Sequence, residues 1–305
     1  MPTQLFILLP LLAVVLIVLF FILRDEKPFI QIAVIIAIVV SVGNHARDKF
    51  SEVQSRVQGM QSSRNSVAVS TRKRPPTESE KKALYKAIEE GIQEEVSANP
   101  LFLTLKKYDP NSYLRLESAM REAGNEAIRE NIPTEQAIAR MVEAALQMDE
   151  FGTKYLPHAS DETVLAYSQV QISVWRQFLA KDTDLCFAAI WGDTKKISER
   201  ASGLKSSITQ GTIDALIATK AMVIESAATK PQPAPDQAFA DKKLDEIIEQ
   251  LTKLHGDDVQ LLANVNAART NKKKACTLMI EVFNRATRLP KKDASAVLRG
   301  MMAGK

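Results

Sequence analysis

Residues 161–191 read DETVLAYSQVQISVWRQFLAKDTDLCFAAIW, the most apolar stretch of the chain beyond residue 46. Val164, Leu165, Tyr167, Val170, Ile172, Val174, Trp175, Phe178 and Leu179 cover more than one face of a helix. A helix that is apolar around much of its circumference is one surrounded by others. The spacing therefore predicts a central helix over about Asp161–Ala180, with Ser160 as its N-cap. A second apolar piece, Leu185–Trp191, is bracketed by Asp182 and Asp184 before it and by Gly192 and Asp193 after it. Both tryptophans and Cys186 fall in these two pieces, so the core of the soluble body is expected here.

Working toward the C-terminus, residues 194–229 read as one long or two broken helices, with Gly203 and Gly211 as break points. Pro231, Pro233 and Pro235 exclude a helix and predict a stiff linker over 231–236. Beyond it Leu244, Ile247, Ile248, Leu251 and Leu254 share one helix face, and Gly256 stops that helix. Asp257 or Asp258 is expected to cap the next one. Leu278, Met279, Val282, Phe283 and Ala286 form another stripe that Pro290 ends, and a tail helix is expected from about Asp293 to Met302. Residues 237–305 read as a C-terminal helical hairpin or subdomain.

Working toward the N-terminus, Gly152 and Pro157 bound a loop. Pro133 and Thr134 open a helix bearing Ile138, Met141, Val142, Ala145 and Leu146. Asp109-Pro110 is an N-cap followed by proline in the first turn, and the helix it opens turns Leu116, Met120, Ala123 and Ala127 inward. Thr77 with Glu80 fits a capping box ahead of the stripe Leu84, Ile88, Ile92, Val96. No alternating strand pattern of useful length occurs. The fold class is all-α: an N-terminal two-helix transmembrane hairpin followed by a multi-helix soluble domain over 77–230 and the C-terminal piece, with helices of coiled-coil-like amphipathicity.

The hairpin rests on two uncharged runs. Leu5–Leu23 is almost wholly Leu, Ile, Val and Phe, and a second run over 28–46 has its apolar heart at Phe29–Val42. About 20 residues of helix cross a bilayer. Arg24, Asp25, Glu26 and Lys27 join the two spans. The first lacks the basic start and cleavage site of a signal peptide. Ala33, Ala37 and Ser41 recur every four residues, the spacing that lets helices approach closely in lipid.

Charge sets the orientation. Residues 1–76 carry nine Lys and Arg against four Asp and Glu, whereas residues 77–305 carry 31 against 32. The basic excess lies in the 47–76 linker, at Arg47, Lys49, Arg56, Arg64, Arg72, Lys73 and Arg74. Positive flanks stay on the cytoplasmic side, so both the N-terminus and the C-terminal domain are expected there. Arg47, Lys49, Arg56, Arg72, Lys73 and Arg74 are also the expected contacts to anionic lipid. A near-neutral body has no electrostatic footprint for nucleic acid. The layout resembles bacterial inner-membrane proteins with an N-terminal hairpin and a helical cytoplasmic region, which implies an integral inner-membrane location.

Chemistry is sparse. Phosphate-loop, dinucleotide, zinc-protease, nucleophile-elbow and EF-hand patterns are missing. Ser70/Lys73, Ser79/Lys82 and Ser202/Lys205 match Ser-x-x-Lys by composition alone. Glu117, Glu122 and Glu126, like Asp182 and Asp184, read as solvated carboxylates, and Lys272, Lys273 and Lys274 as a wet surface. Cys186 and Cys276, ninety positions apart without CxxC, read as two buried free thiols. Of His45, His158 and His255, the last falls in a final helical turn, where a cation is favoured. Only His158, in a proline-containing loop, is a functional candidate. The expectation is thus no catalytic, cofactor or metal residue and no nameable small-molecule substrate. The chain reads as a membrane-anchored, non-enzymatic interaction or scaffold component, with a protein partner or self-association. The alternatives are an enzyme with an unrecognised active site and an accessory subunit of a transport or envelope-stress complex.

Overall fold

The computed structural model describes residues 78–130, 132, 136, 140, 151–200 and 204–303. Both apolar runs, the Ala33/Ala37/Ser41 face, the basic residues Arg47 to Arg74, Thr77, Gly203, Pro133 and the stripe Ile138, Met141, Val142, Ala145, Leu146 lie outside the described residues. Among those described every regular element is helical, and no helix is long and apolar enough to cross a membrane.

Helix α1 (Glu78–Ala98) buries Ile92 and Val96. It stops where Asn99 accepts the Leu101 amide on Oδ1 at 2.9 Å and Pro100 opens α2 (Pro100–Tyr108). This Asn-Pro start is the same signal as Asp109-Pro110, which opens α3 (Pro110–Arg129). Leu116, Met120, Ala123 and Ala127 of α3 are buried, as their spacing predicts. The loop expected around Gly152 and Pro157 is instead a helical turn, α4 (Phe151–Lys154), followed by a 3-10 turn over Leu156–His158.

Helix α5 (Asp161–Lys181) begins at Ser160, whose Oγ accepts the Thr163 amide at 3.4 Å. Val164, Tyr167, Val174 and Phe178 are fully buried. Helix α6 (Thr183–Trp191) is capped by Asp182 on the Leu185 amide at 3.0 Å. It ends on Gly192 at φ 76°, a left-handed residue that frees the chain to turn. The following region divides into α7 (Thr194–Glu199), α8 (Leu204–Ser207) and α9 (Gln210–Thr229). The last break falls at Ile208 and Thr209, because Thr209 supplies a cap; Gly211 lies inside the first turn of α9.

Residues 231–236 form no helix or strand, and α10 (Gln237–His255) follows with Leu244, Ile247, Ile248 and Leu251 buried. Leu254 departs from the predicted stripe and is 64% exposed. Gly256 opens a 3-10 stretch to Leu262, and Asn264, not Asp257 or Asp258, caps the next helix, α11 (Val265–Thr270). Helix α12 (Lys272–Thr287) buries its whole predicted stripe, and α13 (Lys291–Ala303) closes the described chain.

Helix α5 is the axis: α6, α9, α12 and α13 all pack on it. Helix α2 lies against α9 and carries α1 and α3, while α10 packs on α13 and α12. One continuous hydrophobic cluster runs from Ile92 to Met302. Trp175 of α5 meets Phe283 of α12 edge to face, with ring centroids 4.7 Å apart.

The free-thiol expectation for the cysteines is overturned. Cys186 of α6 and Cys276 of α12 are joined in a disulfide with Cα atoms 6.4 Å apart, and both are fully buried. Ninety positions of separation concealed the pair, because packing of α12 on α6 sets their distance and sequence spacing does not.

Candidate functional site

The turn between α4 and α5 collects the polar side chains of the body. Its first member is Asp109, which links α2 to α3. One carboxylate oxygen accepts the Ser112 amide at 3.3 Å; the other receives the Lys154 ammonium and the Tyr155 hydroxyl. Partial burial pushes this carboxyl up, but the bonds from Lys154, Ser112 and Tyr155 outweigh it and hold it well below the usual carboxylate range.

His158 ends the 3-10 turn, half-buried. Its carbonyl accepts the Gln232 amide at 2.8 Å, and its Nδ1 lies 3.1 Å from the Gln232 carbonyl. A carbonyl only accepts, so Nδ1 carries the proton in this contact and Nε2 is the acceptor nitrogen of the neutral ring. The sequence singles out His158 as a functional candidate; the structure places it as a clasp on the 231–236 linker. The next residue, Ala159, accepts Arg299 Nη2 at 2.6 Å, and the same nitrogen reaches Asp161 at 2.5 Å. Ser295 donates to Asp161 at 2.7 Å. Ser160 donates its amide to Ser226 Oγ at 2.8 Å, and Lys291 pairs with Glu162. Asp161 and Glu162 also sit in the first turn of α5, where negative charge is favoured.

Seven residues between Lys154 and Glu162 thus reach the start of α3, α9, the 231–236 segment and α13. Apart from the cap that Asp109 places on Ser112, every bond named here links one element to another. Among the described residues no group of three or more His, Cys, Asp or Glu is placed to hold a metal ion.

A second polar group lies at the start of α6. Asp184 receives Lys272 of α12 at 2.7 Å and Lys196 of α7 at 3.4 Å, and Asp182 receives Arg200 at 3.0 Å. Lys272, followed by Lys196, holds the Asp184 carboxyl below its ordinary range. The sequence marks Asp182, Asp184 and Lys272 as solvated; they keep part of their exposure and are in addition tied by ion pairs to neighbouring elements. Lys274 likewise pairs with Asp258 at 2.7 Å. His255 sits in the last turn of α10, as predicted, with Nε2 2.9 Å from Glu281. The predicted carboxylate Glu117 pairs with Arg121 at 2.8 Å, and Arg121 also reaches Glu89. On α1 an open depression of about 450 Å³ is lined by Glu89, Glu90, Gln93, Glu94 and Ser97.

Sequence reading missed Lys220, which is fully buried with Nζ 4.3 Å from the Phe151 ring centroid. Its signal was register: Ile213, Leu216, Ile217, Val223 and Ile224 share its face of α9, so a lysine there must point inward. Arg299 and Gln232 were also missed, because nothing local marks a residue whose partner is 140 or 74 positions away.

The described part of the molecule is therefore an all-helical body in which the polar side chains of these two groups join helices. Comparison with protein-family models, with curated proteins and with solved structures returns no match for this chain.

Proposed function

We propose that this chain is a membrane-tethered interaction or scaffold protein, anchored in a bacterial inner membrane through Leu5–Leu23 and Phe29–Val42, with its helical body on the cytoplasmic side. The observation that carries the reading is the contrast between the interior and the surface of the body. At the turn between α4 and α5 the ionisable side chains, from Asp109 to Arg299, are engaged in holding elements together. Outside, Leu103 on α2, Leu114 on α3 and Met222 on α9 are 47%, 56% and 47% exposed, on helices that pack consecutively against one another. We read these three side chains as the contact points for a protein partner, whose interfaces are built around buried apolar residues. The basic linker and the uncharged runs support the anchor and its orientation.

Crosslinking in intact membranes followed by affinity purification of the full chain tests this. A reproducible partner, or a second copy, is expected, and Glu in place of Leu103, Leu114 and Met222 together should abolish its capture. Recovery of no partner from several growth conditions overturns the reading. A C-terminal enzymatic reporter active on the outer face overturns the orientation.

A further inference from the structure

We propose that Cys186 and Cys276 form a reversible redox lock on the seam between α6 and α12, resting on the cytoplasmic placement of the body. Cytosolic thiols are kept reduced by the small-thiol pool, and the disulfides that do form there are usually transient and redox-sensing. A body that faces the cytoplasm and places two cysteines in bonding geometry therefore holds a pair that opens and closes with the state of that pool.

The seam has the construction such a lock needs. Both cysteines are fully buried, so exchange requires α6 and α12 to part. At its edge, one turn from the bond, Lys272 of α12 pairs with Asp184 of α6 at 2.7 Å. The Lys272 ammonium also lies 5.9 Å from the centroid of the Phe187 ring. The Lys272 and Asp184 side chains are 29% and 39% exposed, so water and salt compete for this pair. Lys196 draws on the same carboxylate. The ion pair is thus the gate, and the disulfide is the bolt behind it.

Closure proceeds by thiol–disulfide exchange with a low-molecular-weight disulfide. One cysteine, as thiolate, attacks a sulfur of that disulfide, forms a mixed disulfide and expels the first small thiolate. The second cysteine, as thiolate, then attacks the protein sulfur of the mixed disulfide, forms the Cys186–Cys276 bond and expels the second. The protein gives up two protons and two electrons, and the small disulfide leaves as two thiols. Excess small thiol reverses both steps.

The test uses the full chain in living cells. Cultures are acid-quenched before and after brief exposure to an oxidant that converts small thiols to disulfides, then treated with a mass-tagged maleimide. A C-terminal topology reporter is read on the same strain. Two free thiols are expected in unstressed cells, one intramolecular bond after oxidant, and return to thiols once it is removed. Thiols that persist through the oxidant overturn the lock. A bond present without stress, with the reporter inside, overturns the lock but leaves the orientation standing. A bond present without stress, with the reporter outside, shows that the orientation failed and makes the bond a permanent brace. In a second arm the purified protein is reduced with dithiothreitol. Asp184→Asn should speed reduction about two- to fivefold, the equivalent of one partly exposed ion pair. An unchanged rate removes the gate and overturns the lock.

Discussion

Asp109 shows how much one residue does when two helices meet at it. It ends α2, caps α3 and accepts from Lys154 and Tyr155. Asp109→Ala removes a cap, usually about 1 kcal/mol, and strands the buried Tyr155 hydroxyl, so a loss of about 2–3 kcal/mol is expected in urea unfolding of the detergent-solubilised chain. Its pH dependence follows from the direction of the shift. The folded carboxyl titrates below its unfolded value near 4, so the folded state binds this proton less readily than the unfolded state. The stability it contributes is full above about pH 4 and drains as the pH falls toward the lower folded value. Wild type should lose more stability than Asp109→Asn between about pH 4 and pH 2; parallel curves would refute this. The cap and the proline were legible in the sequence. The tie to Tyr155, 46 positions away, was not.

At the scale of elements, α13 lies against α10 closely enough to exclude a side chain. A Cβ at Gly300 would stand 2.9 Å from the Ala240 Cβ, and neither atom is the end of a flexible chain. Gly300→Ala should therefore destabilise by about 1–2 kcal/mol, although alanine is the better helix former by about 1 kcal/mol. Gly91 in α1 has open space at its Cβ, so Gly91→Ala should instead stabilise by about 0.5–1 kcal/mol. Thermal melts of the two variants should move in opposite directions, and a rise for Gly300→Ala would show that α10 and α13 slide apart freely. The existence of α3, α5, α6, α10 and α12 was readable from periodicity and caps. A break within 194–229 was one of two readings, but its place at Thr209 and not at Gly211 was not legible, because Thr209 is as ordinary a threonine as any other until a helix starts behind it.

For the whole molecule, the disulfide closes a long loop between α6 and α12. Constraining a loop of that length stabilises the folded state by at most about 4–5 kcal/mol on the chain-entropy model. Dithiothreitol should accordingly lower the urea midpoint, and Cys186→Ala with Cys276→Ala should unfold at the reduced midpoint in either condition. An unchanged midpoint on reduction would mean that the bond constrains little. The proposed anchor makes a separate demand: the full chain should sediment with membranes and leave them only in detergent. Recovery of unprocessed chain in a high-speed supernatant would remove both anchor and orientation.

The sequence by itself determined the all-helical class of the described residues, the central place of residues 161–191 and the starts of α3, α5, α6 and α10. Those follow from apolar period and from short-range caps, which act within four residues. Only the tertiary structure decided that Cys186 bonds Cys276, that His158 clasps Gln232, that Arg299 reaches Asp161 and that Lys220 is buried against Phe151. Each of these is a contact between residues far apart in the chain. Its geometry is fixed by how helices pack on α5, and no local pattern of residues encodes that distance.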